Sequence, residues 1–311
     1  MGGGSRSMEW YLVVAASKGY EPGLRACLNS FKYYHPTKVW TYVLGLDMDA
    51  EDFGKVIPDG MRATAVTLDW IETKNYPGKN TAWSTKIPRF KFASELEGIV
   101  MLVDADFFFC ANWDHWFRMA ELGYIIGGSN GSNVRYHEDW RKKYGIDVPD
   151  FYNYKTICSI PTILDTEAHG SVWKDVYEHK INGNGTGADF DLQNIFMTVR
   201  NKTKWIIPLP SQQTTGIHHF QLKLDTGIMM VQGKLMTRDG LEVLSIHGKW
   251  WQEGWRRNVL MKMKDYYHVK LQRDNRAIDF AIKSWTTSCQ EFQRWSGEQF
   301  DLNQIINEVK Q

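Results

Sequence analysis

The strongest chemical signal in this 311-residue chain is Val100-Met-Leu-Val-Asp104-Ala-Asp106, an apolar run that ends in two carboxylates at i and i+2. In extended backbone the two side chains project to the same side. At the carboxyl end of a buried parallel strand they face the crevice where α/β sheets bind ligands. Two carboxylates placed this way repel each other unless a cation joins them, and oxygen ligands suit Mg²⁺ or Mn²⁺. A second signal lies far downstream in Val243-Leu-Ser-Ile-His247-Gly-Lys249-Trp250. His247 is a candidate third ligand, which makes Asp104, Asp106 and His247 a mixed carboxylate–imidazole set compatible with Mn²⁺. Gly248 lets backbone approach a ligand, and Lys249 supplies a point charge for phosphate. The plainer readings are a pair of capping aspartates opening a loop and a satisfied, partly buried histidine.

The elements around these residues follow from hydrophobic periodicity. Residues 9 to 16 and Val39 to Leu46 read as buried strands, Ala63 to Leu68 as a third, and Ile99 to Val103 as a fourth that carries the acidic pair. Leu24, Leu28 and Phe31 recur at i, i+4, i+7 behind Pro22, which marks a helix ending before His35-Pro36. Trp83 to Leu96 reads as a helix with a bend or late start at Pro88. Helices are also expected at Trp113 to Ala120, His137 to Tyr144, residues 168 to 181 and Asp189 to Val199, with a loop at Gly127 to Asn133. Short strands are expected at Tyr124 to Ile126, Trp205 to Ile207, Gly227 to Val231 and Val243 to Ile246. Strands apolar on both faces, alternating with helices, predict an α/β fold with a mostly parallel sheet flanked by helices. A soft change near residue 252 predicts two parts: a ligand-binding region over 8–251 and an α-rich C-terminal extension over 252–311.

Five segments in this order resemble the GT-A glycosyltransferases of the glycogenin and bacterial lipopolysaccharide galactosyltransferase type. They are Val13-Val-Ala-Ala-Ser17 with Tyr20, Ser84-Thr-Lys86-Ile, Leu102-Val-Asp104-Ala-Asp106, Gly187-Ala-Asp189-Phe-Asp191-Leu-Gln-Asn194 and His247-Gly-Lys249-Trp250. The resemblance implies a Rossmann-like nucleotide-diphospho-sugar transferase fold. It also implies transfer of a hexosyl or pentosyl group from a UDP-sugar, with retention of configuration and dependence on Mn²⁺ or Mg²⁺. It places Ala16, Ser17 and Tyr20 on the uracil and ribose, and Lys86 by the donor sugar or phosphates. Asp104 and Asp106 hold the metal and ribose with His247 as the remaining protein ligand, Lys249 binds the diphosphate, and Asp189 and Asp191 face the transferring sugar and the acceptor. Here Phe190 follows Asp189 where family members often carry Gln, and the usual longer His-to-Trp motif is shortened. The acceptor classes weighed are a glycan, a lipid-linked glycan, a protein and a modified nucleic-acid base.

The chemistry has a physical logic of its own. Sugar transfer passes through an oxocarbenium-like state. Negative charge grows on the leaving β-phosphate, and a dication with Lys249 neutralises it. Asp189 and Asp191 fit either positive charge on the sugar ring or a helix N-terminus, as cap and dipole partner.

Other motifs compete. Gly127-Gly-Ser129-Asn-Gly131 matches a G-x-S-x-G elbow and predicts a serine hydrolase with Ser129 as nucleophile. Gly183-Asn-Gly185-Thr-Gly187 reads as a loop, since no strand feeds it. His218-His219 is a poor ligand pair without further partners. A non-catalytic nucleotide- or carbohydrate-binding module of the same fold is the remaining alternative.

Composition bounds these readings. Lys plus Arg is 37 against 36 for Asp plus Glu, so bulk electrostatic affinity for nucleic acid or anionic membrane is not indicated. The stretch from Glu253 to Arg276 is nonetheless locally basic, through Arg256, Arg257, Lys262, Lys264, Lys270, Arg273 and Arg276. That predicts either a helix with a solvated basic face or a surface for an anionic acceptor or peripheral membrane contact. Cys27, Cys110, Cys158 and Cys289 form no CxxC, which predicts reduced and mostly buried thiols. No run reaches the ~18 apolar residues of a membrane span, and Met1 to Ser7 lacks the apolar core of a signal peptide. The expected location is the cytoplasm, and the sequons at Asn130, Asn184 and Asn201 then read as chance matches.

Overall fold

The computed structural model describes residues 8–35, 38–72, 78–133, 142, 145–146, 155–182, 189–210, 213–214, 227–271 and 275–310. The expected alternation opens the chain: β1 (Trp10–Ser17), α1 (Glu21–Tyr34), β2 (Val39–Leu46), α2 (Ala50–Val56), β3 (Ala63–Leu68), α3 (Thr81–Ser94) and β4 (Ile99–Asp104). These four strands pair in parallel, with Val13 of β1 between Tyr42 of β2 and Leu102 of β4.

The reason for continuous apolar strands is visible in how alternate residues part company. Leu12, Val14, Met101 and Val103 face α1 and meet Leu24, Leu28 and Phe31. Val13, Ala15, Val100 and Leu102 face the other way and pack with Phe90 of α3 and Trp173. A strand with both faces covered has no use for polar residues, so the period-two pattern disappears.

The second half comprises β5 (Phe107–Phe109), α4 (Asp114–Glu121), β6 (Ile125–Asn133), β7 (Lys155–Asp165), α5 (Thr166–His169), α6 (Ser171–Ile181), α7 (Asp189–Val199), β8 (Ile206–Leu209), β9 (Ile228–Val231), β10 (Lys234–Thr237) and β11 (Ser245–His247). The main sheet has seven strands in the order β3-β2-β1-β4-β7-β6-β8, and only β7 runs against the rest. The expected mostly parallel α/β sheet is therefore present.

Gly127 to Asn133, expected as a loop, belongs to β6. The glycines there serve contact rather than bending. A Cβ on Gly127 would lie 2.6 Å from the Ile157 side chain, and one on Gly128 would lie 2.9 Å from Thr214. Ser129 pairs with Ile157 inside this strand. It is not on a strand-to-helix elbow, and the G-x-S-x-G reading loses its structural premise. The short α2 was not expected, although Asp49 and Asp52 form a complete capping box at its start. The expected helix at His137 to Tyr144 falls almost wholly outside the described residues, and Gly183 to Gly187 and His218-His219 fall outside them altogether.

Beyond Trp250 the chain is helical, as expected: α8 (Glu253–Lys270), α9 (Arg276–Ser296) and α10 (Asn303–Lys310). These helices share one apolar core with Ala26 of α1 and Phe108 of β5, built around the fully buried Trp250, Trp285 and Tyr267. Asn29 and Arg25 of α1 donate to the Trp295 and Ser296 carbonyls at 2.8 and 3.0 Å. Arg256 is buried, donating to the Trp250 carbonyl at 2.7 Å with its guanidinium 3.7 Å from the Phe300 ring centre. Arg257 pairs with Glu253 and Glu308, and Lys264 donates to the Val309 carbonyl. Of the expected basic face, Arg256 thus lies inside the protein, while Arg257 and Lys264 have partners within the chain. Among the described residues no helix is long and apolar enough to cross a membrane.

Candidate metal centre and donor cleft

The acidic pair sits where β4 leaves the sheet. Asp104 is the last strand residue, Ala105 and Asp106 make a turn, and the chain continues directly as β5. β5 pairs antiparallel with β11, so Phe107 stands opposite His247. The Gly248 N–H then donates to the Asp106 carbonyl at 2.7 Å. Two three-residue strands thus dock a segment 141 positions away onto the acidic turn. The His247 Nε2 lies 2.8 Å from Asp106 Oδ1 and 3.7 Å from Asp104 Oδ2. The three ligand atoms fall within 4.8 Å of one another.

Asp106 and His247 are buried and Asp104 nearly so. Burial by itself raises the Asp104 pKa. The charges of Arg89, Lys86 and His247 outweigh it and hold the carboxyl well below the usual range. Burial disfavours the charged form of His247, but the charge and hydrogen bond of Asp106 prevail and its pKa is raised. Two carboxylates and one imidazole at this spacing are a donor set that fits a divalent ion of the Mn²⁺ or Mg²⁺ class.

Arg89 escaped the sequence reading. It lies on α3 at i+3 from Lys86, so the two share a helix face. Its side chain is 1% exposed, and its Nη1 contacts Asp104 Oδ1. Lys86 Nζ lies 3.9 Å from Asp104 Oδ2. The readable signal was an arginine on the same apolar-flanked face as a candidate lysine, in a helix packed against the DxD strand.

A cleft of about 570 Å³ opens beside the acidic turn, within the range of small-ligand sites. Its walls include Ala16, Ser17, Tyr20, Lys86, Asp104 and Lys249, so one surface gathers residues expected from four separate segments. Thr81, Ala82 and Thr85, from the first turns of α3, also line it and were not anticipated. Lys249 Nζ sits 5.2 Å from the Tyr20 ring centre, and Tyr20 packs edge-on against Trp251. Lys249 and Tyr20 are thereby fixed relative to each other across 229 positions.

Gly248 also has a packing reason that was not expected. Its φ is +139°, and a Cβ there would lie 2.3 Å from the Trp255 indole. The glycine admits Trp255 and the positive φ that swings Lys249 toward the cleft. Asp189 and Asp191 begin α7. Asp191 is half-buried and is not among the residues lining the cleft. The Asp189 side chain lies outside the described residues.

No family profile matches the sequence, and no curated protein matches it. Solved structures do match in shape. The galactosyltransferase LgtC in complex with donor and acceptor sugar analogs aligns with a TM-score of 0.55 at 12% identity, over 94% of this chain and 98% of that one. An active-site mutant of LgtC aligns at 0.52 and 14% identity, over 79% and 90%. The glycosyltransferase GlyE of Streptococcus pneumoniae TIGR4 aligns at 0.52 and 12% identity, over 97% of this chain and 63% of GlyE. The chain has the GT-A glycosyltransferase fold, as its motifs implied.

Proposed function

We propose that this protein is a metal-dependent glycosyltransferase that moves a sugar from a UDP-linked donor to an acceptor hydroxyl, with retention of configuration. The observation that carries this reading is the meeting of Asp104, Asp106 and His247 at the edge of a cleft walled by Tyr20, Lys86 and Lys249. The GT-A fold supports it.

Asp104, Asp106 and His247 would hold Mn²⁺ or Mg²⁺. When bound, the ion acts as a Lewis acid on the diphosphate. Lys249 binds the same diphosphate, and as a cation clamped over Tyr20 it needs little reorganisation as charge grows on the leaving oxygen. Ala16 and Ser17 bring backbone and a buried hydroxyl to the base and ribose, and Tyr20 adds an aromatic edge. Lys86, whose Nζ is 3.9 Å from Asp104 Oδ2, is assigned to the donor sugar or phosphates. Asp189 and Asp191 are assigned to the transferring sugar and acceptor, where a carboxylate stabilises positive charge on the ring.

The test is UDP release from a panel of UDP-hexoses and UDP-pentoses, with Mn²⁺, with Mg²⁺ and with chelator. Metal-dependent release that Asp106→Asn removes supports the proposal. Tight UDP binding without any release reduces the protein to a binding module, and release that persists in chelator contradicts the metal role.

A further inference from the structure

Tyr20 touches two residues of the segment that follows β11. The Lys249 amine lies 5.2 Å from its ring centre, and Trp251 meets the ring edge-on at 5.4 Å with 68° between the planes. Tyr20 and Lys249 line the cleft; Trp251 is not among the lining residues. From Trp251 a ladder of rings runs into the C-terminal helices. Trp251 stacks on Phe292 of α9 at 6.2 Å, and Phe292 stacks on Phe300 at 6.3 Å. The guanidinium of buried Arg256 lies 3.7 Å from the Phe300 ring centre. Ring pairs and cation–ring pairs at these separations are attractive and directional. Tyr20 packs against the core that α1 shares with the sheet, and Trp251 against the core of the C-terminal helices. Their contact joins the two cores beside the cleft.

The first turn of α1 is fitted to this joint. A Cβ on Gly23 would lie 2.6 Å from the Trp251 ring and 2.9 Å from the Ala105 carbonyl oxygen. Glycine lets the helix backbone approach both the indole and the acidic turn. So close a fit leaves the indole little room to shift.

We propose that Trp251 is a positioning residue for nucleotide binding: it fixes the Tyr20 ring, and through that ring the Lys249 amine, in the geometry that meets the donor. This rests on reading the cleft as the donor site. A side chain on a cleft wall loses rotational freedom when it meets a ligand, and that loss weakens binding. A ring already held by its neighbour has lost the freedom on folding, so the ligand binds more tightly. The C-terminal helices thereby set donor affinity without lining the cleft. The role carries a signature that a purely structural one lacks. A residue acting through Tyr20 costs no more, when removed, than Tyr20 itself, and costs nothing further once Tyr20 is gone.

The experiment is calorimetric titration with UDP in the presence of Mn²⁺, on wild-type protein, Trp251→Leu, Trp251→Phe, Tyr20→Ala and the Tyr20→Ala, Trp251→Leu double variant, each first checked for the native fold by circular dichroism. Trp251→Leu is expected to weaken UDP binding by about two- to fivefold, and by no more than Tyr20→Ala does. Trp251→Phe keeps an aromatic edge and is expected to recover most of that loss. In the Tyr20→Ala background, Trp251→Leu is expected to change nothing further. If Trp251→Leu does not fold, Trp251→Met replaces it, since its unbranched chain fills irregular gaps. An unchanged dissociation constant in the leucine variant, a phenylalanine variant no better than leucine, or a full additional loss in the Tyr20→Ala background overturns the proposal. Failure of the underlying reading looks different: wild-type protein itself binds no UDP, and the donor reading and this inference fall together.

Discussion

His247 and Asp106 are 141 residues apart in the chain and 2.8 Å apart at the Nε2 and Oδ1 atoms. Their meeting depends on six strand residues, three in β5 and three in β11, and on the backbone bond from Gly248 to the Asp106 carbonyl. A contact specified by so few backbone bonds survives because it is buried. Ser245, Ile246 and His247 all lie inside, with Ile246 in the core under α8 and α9. The geometry of this cluster is therefore coupled to packing of the C-terminal helices.

Removing a ligand should abolish function without unfolding the chain. Asp106→Asn and His247→Ala are each expected to lower metal-dependent UDP release by about a hundredfold or more. Circular dichroism should stay native. Near-wild-type release in either variant contradicts the assigned cluster.

Lys249 and Tyr20 act as one unit in the cleft wall. Lys249→Ala is expected to weaken UDP binding by about tenfold, through one lost charge-assisted contact. Tyr20→Ala should cost less than that alone, and the double variant less than the sum, because the two side chains touch. Calorimetric titration with UDP checks this, and an unchanged dissociation constant for Lys249→Ala counts against its role.

Gly248→Ala is expected to destabilise the protein by about 2 kcal/mol or more. It places a Cβ into the Trp255 ring at a φ of +139°. Urea unfolding measures the loss. Pairing the change with Trp255→Leu should recover part of it; no recovery would show that backbone strain alone sets the cost.

His35 makes stability pH-dependent. Its side chain is fully buried, Nδ1 bonds to Asp114 Oδ1 at 2.9 Å, and Nε2 accepts the Trp113 N–H at 3.1 Å. Burial lowers its pKa against the raising effect of Asp114, with the Lys38 charge nearby also lowering it. An Nε2 already used as an acceptor cannot take a proton without losing that bond. Below the ordinary value of about 6.5 the unfolded chain binds a proton that the folded chain refuses. Stability should therefore fall as pH drops through about 6.5, by up to about 1.4 kcal/mol per pH unit at the steepest. His169, also lowered by burial, adds in the same direction. His35→Gln should flatten the slope in urea titrations between pH 5 and 7, and an unchanged slope assigns the effect elsewhere.

Three of the four thiols should be silent in the native state. Cys27, Cys110 and Cys289 are buried, and desolvation pushes each pKa upward. Iodoacetamide followed by mass spectrometry should mark Cys158 first, and the others only after unfolding.

The β1-to-β4 half of the fold, its parallel sense and the acidic pair were legible in the amino-acid sequence because each is local. An apolar run of six to eight residues reports a strand covered on both faces, and a carboxylate at its end reports the mouth of the sheet. Asp104, Asp106, His247 and Lys249 could be named as candidates from their own segments and from the resemblance of those segments to a family, but nothing in a run of residues states which other run it will touch. Antiparallel β7 was missed because it carries Thr156, Ser159 and Pro161 among its apolar residues. β6 was expected only as far as Ile126, because the glycines that follow mimic a loop until Ile157 is seen filling the space beside Gly127. Arg89 looked like one more helix cation. Only the tertiary structure aims it at Asp104 and removes it from water, and that burial strengthens its charge on the acidic turn.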